Sequence, residues 1–165
     1  MSENKSTALC VGSFDPPTLG HLNIIERGLK TFDKVIIGVA KNYTKASLFT
    51  LEERFALLQE IFKDHDGVEI DTFEGLLVEY AKTKGVRTLL RGIRTAEDYQ
   101  YEFQMSLVNK SLDPNIETVF MMTEGKLSHI SSSMIKEVIS LGGSVANMVH
   151  PLVEKKLKEK LLEKA

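Results

Sequence analysis

Five short apolar runs alternate with helical patterns along this chain, and that alternation limits its fold more than any other feature. The runs fall at 7–11, 33–40, 68–73, 86–90 and 117–122. The first two, through Ala8-Leu9-Cys10-Val11 and Val35-Ile36-Ile37-Gly38-Val39-Ala40, are apolar at consecutive positions. That suits strands covered on both faces. Between and after them lie helical patterns. One spans about 18–30; a second starts at Thr50 with Leu51, Phe55, Leu58 and Phe62 on one face. A short one after Gly75 carries Leu76, Leu77, Tyr80 and Ala81 and ends at Lys84-Gly85. A long one capped by Thr95 runs to about Leu112, and another opens at Ile130-Ser131-Ser132-Ser133 and stops at Gly142-Gly143. The last follows Pro151, with Val153, Leu157 and Leu161 spaced by four. Strand and helix in alternation predict an α/β, Rossmann-like domain: a doubly wound, five-stranded parallel sheet with helices on both faces and a C-terminal helix. Ligands of such sheets bind beyond the carboxyl ends of the strands.

The 165 residues fit a single domain, 1–165, with 1–6 as a polar tail. Apolar residues at 42% and charged residues at 27% favour a packed core over disorder. A net charge of −2 gives no basic excess for nucleic acid to bind. The one cysteine, Cys10, offers neither an internal disulfide nor metal-ligand spacing and reads as a small buried hydrophobe. No run approaches the ~18 apolar residues of a membrane span. No apolar signal region follows Met1-Ser2-Glu3-Asn4-Lys5-Ser6, so a cytoplasmic protein is expected.

The loop after the first run is Gly12-Ser13-Phe14-Asp15-Pro16-Pro17-Thr18-Leu19-Gly20-His21. Gly and Pro set its geometry, and Asp15 and His21 are the polar groups it presents. A helix start behind it offers unpaired N–H groups to an anion, and Gly20 allows close approach. Further polar candidates also follow strand ends: Lys45 after the second run, Arg91 and Arg94 after the fourth, and Ser131, Ser132 and Ser133 after the fifth. Such loops share one crevice, and cations, hydroxyls and two helix starts converging there suit a polyphosphate. Taken singly, His21 reads equally as a surface or capping histidine, Lys45 by default as a solvated lysine, the serines as a helix cap, and Asp15 as a turn residue or helix cap. The Arg fork matches phosphate geometry. His65, His129 and His150 read as ordinary turn and loop histidines.

Together, the loop motif, Arg91-Gly92-Ile93-Arg94 and Ile130-Ser131-Ser132-Ser133 resemble the nucleotidylyltransferase superfamily, marked by (T/H)xGH and ISSS-type motifs. With Phe49-Thr50-Leu51-Glu52-Glu53-Arg54, Tyr101-Glu102-Phe103 and Asn109, nearly the whole chain resembles the bacterial phosphopantetheine adenylyltransferases. The resemblance implies transfer of AMP from ATP to 4′-phosphopantetheine, giving dephospho-CoA and pyrophosphate by in-line attack without a covalent enzyme intermediate. It implies His21, Lys45 and Arg91 around the reacting phosphates. It implies Ser13, Phe14, His21, Arg94, Glu102 and Ser131 to Ser133 on the ATP side. On the acceptor side it implies Ser13, Lys45, Leu77, Arg91 and Asn109, with Leu76 beside the pantetheine arm. Mg²⁺ would travel with the triphosphate, with no protein metal ligand; CoA would act as a feedback inhibitor, and the assembly would be a homohexamer. Ser13 stands where many relatives have Thr, and Leu127 stands near an aromatic of some relatives. A sister enzyme using nicotinamide mononucleotide or glycerol 3-phosphate, and a non-catalytic nucleotide or CoA sensor, are the other functions this framework allows.

Overall fold

A computed structural model describes residues 6–41 and 46–164. Its strands are β1 (Thr7–Gly12), β2 (Lys34–Ala40), β3 (Val68–Phe73), β4 (Thr88–Ile93) and β5 (Glu117–Met122). Its helices are α1 (Leu19–Gly28), α2 (Leu51–Ile61), α3 (Leu77–Thr83), α4 (Ala96–Leu112), α5 (Ser132–Ser140) and α6 (Pro151–Lys164). A single 3-10 turn, Gly125–Leu127, lies in the loop after β5. The strands form one five-stranded sheet in the order β3-β2-β1-β4-β5, and every pairing is parallel. The expected fold class is therefore the one observed.

The consecutive apolar residues of β1 divide by the period of two. Ala8 and Cys10 join the cluster under α1 and α2, with Leu22, Ile25, Leu58 and Phe62. Leu9 and Val11 join the opposite cluster under α3, with Val78, Ala81 and Val86. Cys10 behaves as the buried hydrophobe expected of it, and burial pushes its thiol pKa up to about 11. A third cluster joins the first through Ile61 of α2: Ile135 and Ile139 of α5 pack with Phe49, Leu57 of α2, and Val153 and Leu157 of α6.

The fourth strand differs most from expectation, starting at Thr88 and not Val86 and ending later. The sequence places the end of the fourth strand at Leu90 and reads Arg91-Gly92 as loop. In the structure β4 continues through Ile93, because Arg91, Gly92 and Ile93 pair with Phe120, Met121 and Met122 of β5. Gly92 is in a strand for packing reasons: a Cβ there would stand 2.8 Å from Cγ1 of Ile24.

The sheet opens where its strand order reverses. β1 pairs with β2 along six positions, but with β4 only at Ala8–Thr88 and Leu9–Leu89. Beyond Leu9 the two central strands separate, and the gap is the switch-point crevice expected of this topology.

Candidate active site

The crevice holds a cavity of about 360 Å³. Of the predicted residues, the structure brings Ser13, Phe14, His21, Arg91, Arg94, Glu102 and Ser131 to Ser133 to its walls. Lys45 lies outside the described residues. Leu77 and Asn109 line a smaller cavity of about 90 Å³, which shares Arg91 and Glu102 with the first. The two cavities adjoin, with the Arg91–Glu102 ion pair lining both. Leu76 is half exposed and does not line either space.

His21 is the third residue of α1 and part of its cap. Thr18 accepts the His21 backbone N–H through Oγ1 at 3.2 Å, and the Thr18 N–H donates back to His21 Nδ1 at 3.0 Å. An Nδ1 that accepts a hydrogen bond carries a lone pair, so this pattern assigns the proton to Nε2. Burial, then the charges of Arg94 and Arg91, lower the His21 pKa to about 4. At neutral pH the ring is uncharged and presents Nε2–H as a fixed donor. The Phe14 ring meets it edge-on at 5.0 Å and is itself 2% exposed. Phe14 holds a positive φ of 48°, a conformation of some cost outside glycine.

The α1 start has one more group to offer. The Leu19 N–H is taken by the Met148 carbonyl, and the His21 N–H by Thr18. The N–H of Gly20 lies between them, at the cavity wall. A Cβ on Gly20 would come no closer than 3.4 Å to any protein atom. The protein leaves room for a side chain there, so the space serves whatever enters the cavity.

Arg91 donates Nε and Nη2 to the two oxygens of Glu102, at 2.8 and 2.6 Å, and Nη1 to the Val11 carbonyl at 2.6 Å. Two of its five N–H groups remain. Arg94 is held in the same bidentate way by Asp98, at 2.9 and 3.1 Å, and donates Nη1 to the Ile130 carbonyl at 2.8 Å. Both guanidiniums are pre-oriented, which reduces the ordering cost of binding an anion.

The three serines are not equivalent. Ser131 is the cap of α5, accepting the Met134 N–H at 3.1 Å, and keeps its own O–H to donate. Ser132 donates its O–H to the Pro16 carbonyl at 2.9 Å. A hydroxyl has one hydrogen, so Ser132 faces an anion through its backbone N–H alone. Helix geometry leaves the N–H groups of Ser132 and Ser133 without intrahelical partners.

Asp15 does not cap its own turn. Its carboxylate, 4% exposed, accepts the N–H groups of Leu48 and Phe49, both at 2.9 Å, and pairs with Lys136 at 3.2 Å. Arg54, 3% exposed, donates to the carbonyls of Ser13 and Ala40. Sequence reasoning missed Arg54, Asp98, Lys136 and the capping role of Thr18. Asp98 was legible as the i+4 partner of Arg94. Arg54 belongs to a stretch that carries the resemblance, but its contacts with Ser13 and Ala40, like that of Lys136 with Asp15, span 14 to 121 residues and have no local signal.

A pre-oriented neutral donor, two anchored arginines and two helix starts around one cavity suit transfer of a phosphoryl or nucleotidyl group. Residues 9–138 match the family model described as cytidylyltransferase-like. Over 93% of its length the chain is 50% identical to a phosphopantetheine adenylyltransferase of Geotalea daltonii, covering 95% of that protein. It is 49% identical, over 93% of its length and 92% of the relative's, to a phosphopantetheine adenylyltransferase of Desulfosudis oleivorans. The chain belongs to the cytidylyltransferase-like family, and within it to the phosphopantetheine adenylyltransferases. Solved structures agree on the fold. One is described as a nicotinate-nucleotide adenylyltransferase from Vibrio parahaemolyticus, with a TM-score of 0.67 and 19% identity over 96% of this chain and 93% of that one. Another is a lipopolysaccharide core biosynthesis protein from Thermoplasma volcanium, with a TM-score of 0.53 and 19% identity over 73% of this chain and 97% of that one.

Proposed function

We propose that this protein transfers the adenylyl group of ATP to 4′-phosphopantetheine, forming dephospho-CoA and releasing pyrophosphate in coenzyme A synthesis. The observation that carries the reading is the half-identity, over 93% of the chain, to proteins named for that reaction. The cavity supplies chemistry to match. An oxygen of the acceptor phosphate attacks the α-phosphorus, and the bond from that phosphorus to the oxygen bridging to the β-phosphorus breaks. The acceptor is already ionised near neutral pH, so no strong general base is needed. His21 donates Nε2–H to the α-phosphate oxygens as charge builds there. A neutral ring does this while keeping its proton, and a donor already in place costs no reorganisation during the reaction. Arg91, with Lys45, is assigned to the incoming phosphate. The N–H groups of Ser132 and Ser133 and the hydroxyl of Ser131 are assigned to the β- and γ-phosphates, the pyrophosphate that leaves. Arg94 and Glu102 lie on the nucleotide side; Leu77 and Asn109 belong to the pantetheine arm.

Mg²⁺ enters in this reading with ATP and offsets triphosphate charge. The cavity's donors, arginines, hydroxyls and backbone N–H, suit phosphate oxygens rather than a cation. Among the described residues no group of three or more His, Cys, Asp or Glu converges. We assign CoA as a feedback inhibitor competing for the same crevice, and the cytoplasm as the location. Among the described residues no helix is long and apolar enough to cross a membrane. A homohexamer accounts for α4, whose 17 residues bury only Asn109 and expose Tyr101, Phe103, Leu107, Val108 and Leu112. So much exposed apolar surface on one helix is seldom left to water. Light scattering should return six times the 18.5 kDa chain mass.

The deciding experiment mixes purified protein with ATP, Mg²⁺ and a panel of acceptors. Pyrophosphate release with 4′-phosphopantetheine, and not with nicotinamide mononucleotide or glycerol 3-phosphate, is the expected result. Release with another acceptor alone would assign a sister reaction, and tight nucleotide binding without release would assign a sensor.

A further inference from the structure

We infer that Asp15 and Lys136 form a strut that sets the distance between the histidine turn and the serine helix, and that both are positioning residues for adenylyl transfer. The inference rests on the reaction proposed above. α5 packs through Ile135 and Ile139 into the cluster shared with α2 and α6, which meets the sheet cluster under α1 at Ile61. The start of α5 is seated by buried Ile130 and by Arg94 on the Ile130 carbonyl, and side-chain bonds tie the helix directly to the histidine turn. Two polar bonds join α5 to the histidine turn: Ser132 Oγ to the Pro16 carbonyl at 2.9 Å, and Lys136 Nζ to the Asp15 carboxylate at 3.2 Å. Ser132 and Lys136 are four residues apart, hence on one helix face. They grip adjacent residues of the turn.

The chemistry of Asp15 supports a role beyond tying a loop. Its two bonds from Leu48 and Phe49 fix it to the segment leading into α2. A carboxylate with a side chain 6% exposed is costly to bury, and the Lys136 ammonium, 35% exposed, offsets that charge while extending the tie to α5. The carboxylate thus joins three segments: the histidine turn, the entry to α2, and α5. Asp15 and Lys136 do not line either substrate cavity. In-line displacement needs the α-phosphate at His21 while the leaving pyrophosphate rests on the start of α5. Small errors in that spacing cost rate more than affinity.

The test is Lys136→Met, which keeps the aliphatic stem and removes the ammonium, beside Lys136→Arg, which keeps the charge. Lys136→Met should lower kcat about tenfold with little change in ATP affinity by calorimetry, and Lys136→Arg should recover most of it. Asp15→Asn should lower kcat as well, and adding Lys136→Met to it should lower kcat no further. Where Asp15→Asn fails to fold, Lys136→Met carries the test alone. A second readout needs no turnover: the ³¹P resonances of the β- and γ-phosphates of bound ATP should shift in Lys136→Met and stay near wild type in Lys136→Arg. Wild-type kcat in Lys136→Met with unmoved resonances would overturn the strut, whatever happens to its Tm. A wild-type protein silent with 4′-phosphopantetheine overturns the reaction instead, and the resonances still decide the strut.

Discussion

Helices α1 and α2 begin with the same device and differ at their second and third residues. Each opens on a threonine whose Oγ1 accepts the N–H of the third helical residue at 3.2 Å, and that residue's side chain accepts the threonine N–H in return. In α2 the third residue is Glu53, an ordinary capping-box partner whose other oxygen pairs with Lys160 of α6. In α1 it is His21, inside the crevice. A carboxylate in that role spends its acceptors and has no proton to give. An imidazole spends one nitrogen on the cap and presents the other as a donor. The difference teaches that the capping geometry aims and tautomerises the reactive group, with no further residue needed for the purpose. The second helical position differs in the same sense: Glu52 in α2 is exposed, whereas Gly20 in α1 leaves its space to the ligand.

Substitutions can break this comparison from its most sensitive point outward. His21→Gln keeps a capping-box residue while losing the imidazole Nε2–H. It should cut kcat by about 10²–10³-fold in pyrophosphate-release assays. ATP affinity and Tm should hold, and a kcat near wild type would remove His21 from the mechanism. Gly20→Ala should fold normally and weaken ATP binding by about tenfold by calorimetry, whereas Glu52→Ala should leave binding unchanged. Thr18→Ala should cost about 1 kcal/mol of stability in denaturant titrations and also lower kcat. Thr50→Ala should cost a similar ~1 kcal/mol with kcat intact, and a loss of kcat there would mean that the two caps are not functionally separate.

Acid sharpens the same contrast. The folded pKa of His21, about 4, lies below its ordinary 6.5. As pH falls the unfolded chain takes up that proton first. The stability contributed by the neutral ring is whole above about 6.5 and is lost as pH falls toward about 4. NMR titration of the ligand-free protein should show the His21 ring neutral and Nε2-protonated well below pH 6.5. Replacing His21 with Gln should flatten this part of the stability profile.

The sequence made the sheet legible because β1, β2, β3 and β5 are apolar or alternating over their own lengths, and it placed them within about a residue of their observed limits. It failed at the end of β4, where Arg91-Gly92 has loop composition but pairs across to β5. Pairing between strands is not a local property, and local pattern cannot register it. The site was legible wherever a functional residue follows a strand, as Ser13, Arg94 and the serines do. The supporting residues stayed hidden for the opposite reason. The sequence assigns no role to Arg54 or Lys136, because only the folded chain brings them to Ser13 and Asp15. The pattern for a capping box asks for Glu or Gln, so a histidine version passes unrecognised.

The parting of β1 from β4 has a consequence for how activity is inferred. Past Leu9 the Val11 carbonyl has no pairing with the β4 backbone, and the Arg91 side chain supplies a donor there. One guanidinium therefore serves as a rung of the sheet as well as the proposed partner of a phosphate group. An Arg91 variant is a poor inactive control, because lost turnover and a loosened sheet arrive together. The same sharing bears on descent. A lineage that gave up catalysis and kept only nucleotide binding would still be held to this arginine by its architecture, so its retention speaks for the sheet before it speaks for the reaction. His21, whose place in the cap a glutamine can take, is the residue whose retention carries information about chemistry.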